Sequence, residues 1–337
     1  MSGITSLCSA YAKYFDIGAA VNTMTIASHA ALLKQHFNSL TCENEMKYER
    51  IQPEEGKFCF EPADKIVAFA RENGMRMRAH APVWHAQTPD WFFKQGDRPA
   101  PRELVYERME QHIKAVAERY NDAVYCWDVV NEATNDALDP AYMARFGNEP
   151  YRQSKYLTLC GIEYLEKAYH LMRKYSPTAQ LFYNDYNECD PLKRERIYAL
   201  MKNLLDRGAP LQGFGLQTHY NIYGPDMDEV KRSIETYAGL GLRLHITEMD
   251  ISFYKDMHSD PQIEPSQEQV ERQAKIYESL FALYRSYSDV IDSVTLWGVA
   301  DDRSWLSNPR RKNWPLPFDE KHVPKPFVAK LIEAAES

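Results

Sequence analysis

Two glutamates in this chain each close a short apolar run, and the polar company they keep points to carboxylate chemistry. Glu132 follows VYCWDVVN at 124–131, a β-rich stretch with a single interior acid, and Thr134-Asn135-Asp136 then open a loop. Glu248 lies in LHITEMDIS, where side chains alternate with period two, so Glu248 and Asp250 share one face. Like charges on one face repel unless a donor separates them. His219, in the preceding strand-like run, offers two ring nitrogens and can bridge both carboxylates, keeping Glu248 ionised as Glu132, beside Trp84 and with fewer cationic neighbours, keeps its proton. A pair of carboxyl groups about 5–5.5 Å apart can break a glycosidic bond with retention, one acid protonating the leaving oxygen and the other attacking the anomeric carbon. The competing reading is a buried ion network with no chemistry.

Convergence of two acids from distant runs needs a frame. Strand-like runs fall near 14–21, 39–46, 76–84, 124–132, 180–187, 213–220, 243–251 and 293–300, with helical patterns at 26–37, 61–73, 102–120, 153–175, 191–207, 226–239, 266–287 and 325–335. In the third helix Val105, Met109, Ile113, Val116 and Tyr120 form one inward stripe while Glu107, Glu110, Lys114 and Glu118 face water. Strict alternation implies parallel strands with helical crossovers, and eight such units are the number that closes a (β/α)8 TIM barrel, here one domain over 1–337. A doubly wound open sheet is the other architecture. It would want a Gly-rich phosphate turn after the first strand, where FDIGAAV leads instead into Asn22-Thr23-Met24.

A barrel collects its functional side chains at the C-terminal ends of its strands. There the sequence supplies Glu43, Asn44 and Lys47, then His80, Trp84, His85 and Gln87, then Asn131 and Glu132. Further on come Asn184 to Asn187, Gln217 with His219, Glu248 with Asp250, and Trp297 with Trp305 beyond it. The indoles can face sugar rings, and Asn44, Lys47, His80, Gln87 and Asn131 can bind hydroxyls. His80, His85, His219 and Asp250 could instead hold a catalytic metal, but the His-x-His pair expected on the first strand of such a barrel is absent from FDIGAAVN. The reading therefore includes no cofactor and no metal. A non-catalytic sugar-binding barrel would be expected to have lost one glutamate, and both are present.

Composition narrows the partners. A chain of 337 residues, 44% hydrophobic and 26% charged, can bury a large core, while a net charge of −8 argues against nucleic acid or an anionic membrane. The N-terminal stretch has neither a basic region nor a long apolar run, so the expected location is cytoplasmic. Six cysteines lack any CxxC spacing, and most are expected to be small buried hydrophobes. A homo-oligomer stays open.

TCENEMKYERIQP, RAHAPVWHAQTP, WDVVNEA, NDYN, LQTHY, ITEMDIS and TLWGVAD followed by SW together resemble glycoside hydrolase family 10, the retaining endo-1,4-β-xylanases. The resemblance runs in order over nearly the whole chain. It implies Glu132 as general acid/base, Glu248 as nucleophile and Asn131 on the 2-hydroxyl of the attacked sugar. It further implies that His80, Trp84, Gln217, His219, Trp297 and Trp305 surround that sugar, Glu43, Asn44, Lys47 and Gln87 serve its non-reducing neighbours, and Tyr186 stacks under the leaving-group side. Tyr48 stands where the family usually has Trp, and His80-Ala81-Pro82-Val83-Trp84-His85 where it usually reads HTLVWH. These departures bear on local packing and fine specificity. The substrate implied is xylan fragments or xylo-oligosaccharides, as for the intracellular bacterial members, with a cellobiose-directed glucanase of the same family as the alternative.

Overall fold

The alternation closes on itself. In the computed structural model, which describes residues 6–136, 143–144, 147, 149–256 and 258–337, eight parallel strands form a closed barrel. They are β1 (Asp16–Val21), β2 (Ser39–Cys42), β3 (Arg76–Trp84), β4 (Val124–Asn131), β5 (Gln180–Asp185), β6 (Gly213–Leu216), β7 (Arg243–Ser252) and β8 (Ile291–Leu296). Each pairs with the next in sequence, and β8 returns to β1 with Asp16 opposite Ser293, which completes the ring. A short segment, His219–Asn221, re-pairs with the far end of β7 so that His219 lies opposite Asp250.

Helices cover the outside because each crossover presents one apolar stripe. The stripe of Arg102–Tyr120 is buried at Val105, Met109, Ile113, Val116 and Tyr120, and Val230, Ile234 and Tyr237 do the same for Met227–Ala238. Gln267–Ser286 starts on a capping box between Ser266 and Gln269, and Pro191–Asp206 on the Asp190 carboxylate with Pro191 at the first position. Among the described residues no helix is long and apolar enough to cross a membrane.

Several boundaries differ from expectation, each for a local reason. The helix expected over 153–175 is two, Lys155–Cys160 and Glu163–Tyr175, because Gly161 takes a φ of +67° that ends the first. The helix expected over 26–37 divides at His29 into Thr25–Ser28 and Ala30–His36. β2 stops at Cys42, since Glu43 to Lys47 already turn across the barrel mouth. An additional short helix, Leu7–Tyr11, docks against the C-terminal one through Tyr11 Oη donating to the Leu331 carbonyl at 2.9 Å.

The barrel interior is polar at its centre. Arg78 of β3 and Asp128 of β4 are both buried and paired, Arg78 Nε donating to Asp128 Oδ2 at 3.1 Å and Nη2 to Oδ1, with the guanidinium over the Phe182 ring. Asp128 Oδ2 also meets His80 Nδ1 at 3.0 Å. The interior acid of the β4 run is thus half of an ion pair set directly beneath the mouth.

Candidate active site

Glu132 is delivered by a backbone turn as well as by a strand. It follows β4 with φ +55°, a left-handed conformation that costs a non-glycine residue about 1–3 kcal/mol and here aims the carboxylate across the mouth. Its Oε2 accepts from Trp84 Nε1 at 2.8 Å, and its Oε1 from Gln217 Nε2 at 3.1 Å and Asn131 Nδ2 at 3.2 Å. Gln217 is aimed the same way: Thr218, at φ +55°, breaks β6 from the His219 segment.

Glu248, in the middle of β7, is 5% exposed. Its Oε1 accepts from Asn184 Nδ2 at 2.7 Å, and its Oε2 meets His219 Nε2 at 3.1 Å. The other ring nitrogen of His219 lies 3.0 Å from Asp250 Oδ2, which in turn accepts from Trp305 Nε1 at 2.8 Å. Asn184 fits only because Gly215 on β6 has no side chain, since a Cβ there would overlap the Asn184 amide.

These surroundings push the two carboxyls apart. Burial raises Glu132 above the ordinary carboxyl range, the charges of Asp185 and Glu248 add to the rise, and the bonds from Gln217 and Trp84 only partly offset it. Burial would raise Glu248 too, but the His219 bond and the charges of His80, His219 and Lys47 outweigh it and hold this carboxyl below its ordinary value. His219 itself is driven well up: burial lowers it, and Asp250 and Glu248 more than reverse that. A charged His219 has an N–H for each carboxylate. A carboxyl with a raised pKa faces one with a lowered pKa across a cleft of about 380 Å³.

That cleft is lined by Lys47, His80, Trp84, Asn131, Glu132, Tyr186, Gln217, His219, Glu248, Trp297 and Trp305. Lys47 Nζ sits 4.8 Å from the centre of the Trp84 ring and donates to Asn44 Oδ1 at 3.1 Å. Burial lowers its pKa, opposed by the nearby charges of Glu248, Glu43 and Glu132. The Tyr186 hydroxyl is fixed by Asp136 and by Arg152 Nη2 at 2.9 Å. Four of the site residues named from the sequence, Glu43, Asn44, Gln87 and Asp250, stand outside this lining. Glu43, bonded by Asn22 Nδ2 at 3.0 Å, lines an adjoining groove that shares Trp305. Asn44 reaches the cleft through Lys47, and Gln87, at φ +48°, accepts Glu49 N–H at 3.0 Å through its carbonyl. Asp250 lies behind His219 and Trp305.

Sequence reasoning placed Asn184 at a strand end without giving it a role, and did not single out Asp128 or Arg152. Asn184 bonds both Asn131 Oδ1, at 2.9 Å, and Glu248; its place at the end of β5, alternating with Phe182, was the available signal. Asp128 fixes His80, and a lone acid inside an apolar strand marks it. Arg152 donates to the Glu132 carbonyl at 2.8 Å from a loop with no motif to flag it. The two departures at 48 and 80–85 are absorbed locally. Tyr48 is buried and stacked on His112 at 3.6 Å between ring centres, and the variant β3 segment still carries His80 and Trp84 into the cleft.

A parallel eight-stranded barrel whose mouth holds two glutamates of opposite protonation preference in an indole-lined cleft is the architecture of a glycoside hydrolase. More narrowly, the chain belongs to glycosyl hydrolase family 10, whose model matches residues 6–334. It is 46% identical to endo-1,4-beta-xylanase B of Paenibacillus barcinonensis, covering 98% of each, and 46% identical to an endo-1,4-beta-xylanase of Geobacillus stearothermophilus over 98% of this chain and 99% of that one. Among solved structures, a Paenibacillus barcinonensis xylanase complexed with a conduramine derivative superposes with a TM-score of 0.92 at 45% identity, covering 98% of this chain and 99% of its own. A mutant structure in complex with xylotriose gives the same TM-score and identity over 97% of this chain and 99% of that one.

Proposed function

We propose that this protein is a retaining endo-1,4-β-xylanase that cleaves internal bonds of xylan fragments and xylo-oligosaccharides by double displacement. The observation that carries the assignment of roles is the opposite displacement of the two carboxyl pKa values, Glu248 down and Glu132 up. In the first step Glu248 attacks the anomeric carbon as the C–O bond breaks and Glu132 gives its proton to the departing oxygen. A glycosyl ester on Glu248 results. In the second step Glu132, now ionised, takes a proton from water as that water attacks the same carbon, and Glu248 leaves. Asn131, beside Glu132, serves the 2-hydroxyl of the attacked sugar, with His80, Trp84, Gln217, Trp297 and Trp305 around it. Glu43, Asn44, Lys47 and Gln87 serve the non-reducing neighbours, and Tyr186 the leaving-group side.

The membership in a xylanase family and the xylotriose complex of a structural relative support the substrate class. Product analysis on xylotriose to xylohexaose, with the first-formed anomer followed by proton NMR, tests it. The β-anomer should appear first and internal bonds should be cut; faster cleavage of cello-oligosaccharides would reassign the substrate. A cytoplasmic location goes with this proposal, and fractionation of cells expressing the native gene for activity checks it.

A further inference from the structure

Away from the cleft lining, His29, Asp302 and His322 converge from three separate segments. His29 lies between the helices Thr25–Ser28 and Ala30–His36 that follow β1, Asp302 lies in the turn after β8, and His322 in the segment before the last helix. His29 Nε2 is 2.9 Å from Asp302 Oδ1, and His322 Nε2 is 3.5 Å from the same oxygen. The two rings lie 4.0 Å apart between centres, and one ligand atom from each of the three residues falls within 4.8 Å of the others.

The tautomer of His29 makes this arrangement informative. Ser28 Oγ lies 3.1 Å from the Met24 carbonyl, which can only accept, and 2.7 Å from His29 Nδ1; with its hydrogen on that carbonyl it accepts from an Nδ1–H. In the neutral ring Nε2 is then a lone pair, and it faces a carboxylate oxygen. Two acceptors at that distance need a shared proton or a cation between them. Three features favour a cation. A second imidazole nitrogen approaches the same oxygen. The separations of 2.9 and 3.5 Å bracket the edge of about 3.3 Å that a tetrahedron with metal–ligand bonds of about 2.0–2.1 Å would have. His29 Nδ1 has Ser28 Oγ as an outer partner 2.7 Å away, as the second nitrogen of a metal-bound imidazole usually does.

We propose that His29, Asp302 and His322 bind one divalent transition-metal ion of the zinc class, with water completing the coordination. Two imidazoles and one carboxylate select such an ion over calcium or magnesium. The His29 side chain is fully buried and supplies the fixed ligand; those of Asp302 and His322 are 29% and 33% exposed, which gives the ion an entry path and room to close the shell. Bound metal would staple the chain after β1 to the turn after β8, across the seam where the barrel closes. That turn leads through Ser304 to Trp305, so the ion would also steady one indole of the cleft.

The full-length protein, stripped with EDTA and dialysed, is titrated with zinc chloride by calorimetry and with cobalt(II) by visible absorption. One equivalent per chain is expected, with a cobalt ligand-field band and a rise in Tm on adding zinc. His322→Ala and Asp302→Asn should each weaken binding about tenfold or more and remove the band. Circular dichroism and Tm in EDTA establish that each variant is folded; should Asp302→Asn fail to fold, His322→Ala on its part-exposed segment decides. Absence of saturable binding by the wild type would overturn the proposal and leave a shared proton in the site. Undiminished binding by His322→Ala would overturn it equally, by moving the ion elsewhere.

Discussion

Trp84 and Glu132 are joined by a 2.8 Å bond in which the indole N–H donates to Oε2, so this tryptophan acts on a carboxyl group as well as presenting a ring. A donor to a carboxylate favours its charged form, and Trp84 is one of the two bonds that restrain the rise in the Glu132 pKa. Trp84→Phe keeps the ring and removes the donor. The Glu132 pKa should climb further, because a hydrogen bond to a charged group is worth roughly 1.5–3 kcal/mol. Since Glu132 must be protonated to act, the basic limb of the kcat/KM profile should move to higher pH. An unmoved basic limb would show that Trp84 does not set this acid.

His219 governs the other limb. It places one ring nitrogen on Glu248 and one on Asp250, and its bond is the leading influence that lowers Glu248 against the effect of burial. His219→Ala should raise the Glu248 pKa, shift the acidic limb upward and leave the basic limb nearly in place. A rate loss of about tenfold or more should accompany it. A pH–rate profile on one xylo-oligosaccharide decides, and a shift confined to the basic limb would assign the histidine to Glu132.

The two glutamates should fail differently when removed. Glu248→Ala should abolish turnover of every substrate, whereas Glu132→Ala should spare the first step for aryl xylosides whose leaving groups need no proton. Azide added to Glu132→Ala should restore turnover and give the β-linked azide. An α-linked azide from that variant would exchange the two roles.

Acid should destabilise the fold before it protonates most carboxylates. Burial pushes His36, His85 and His245 down to about 4 and His112 to about 3, against about 6.5 in the unfolded chain. A base with a depressed folded pKa contributes stability above its unfolded pKa and loses it as pH falls toward the folded one. These four histidines should therefore make the Tm fall steadily from about pH 6.5 toward pH 4, while the raised His219 contributes stability that is lost as the pH climbs above that value. His112→Gln, under the Tyr48 ring, should make that slope shallower. A calorimetric pH series showing the same slope in both proteins would discount His112.

How far the sequence carried depends on whether the signal was local. The bounds of β3 and β7 were legible within a residue because apolar runs there stop at polar mouth residues. The same logic overextended β2, where Met46 continues the apolar pattern after the chain has begun to turn at Glu43. The bridging position of His219 followed from strand alternation. The left-handed backbone at Glu132 and Thr218 did not, since neither is a residue that favours that region. Arg152 was invisible because its contact with the Glu132 carbonyl joins a loop to a strand end twenty residues away.

The hydrogen bonds at the mouth form one continuous line: Glu132 to Gln217 to Asn131 to Asn184 to Glu248, then through His219 and Asp250 to Trp305. In evolutionary terms such a line is inherited whole. Replacing one member strands a buried neighbour, so a descendant that changes one would regain full activity only by changing its partners as well. Glu43, Asn44 and Gln87 stand off this line, and there single substitutions leave every bond of the line in place.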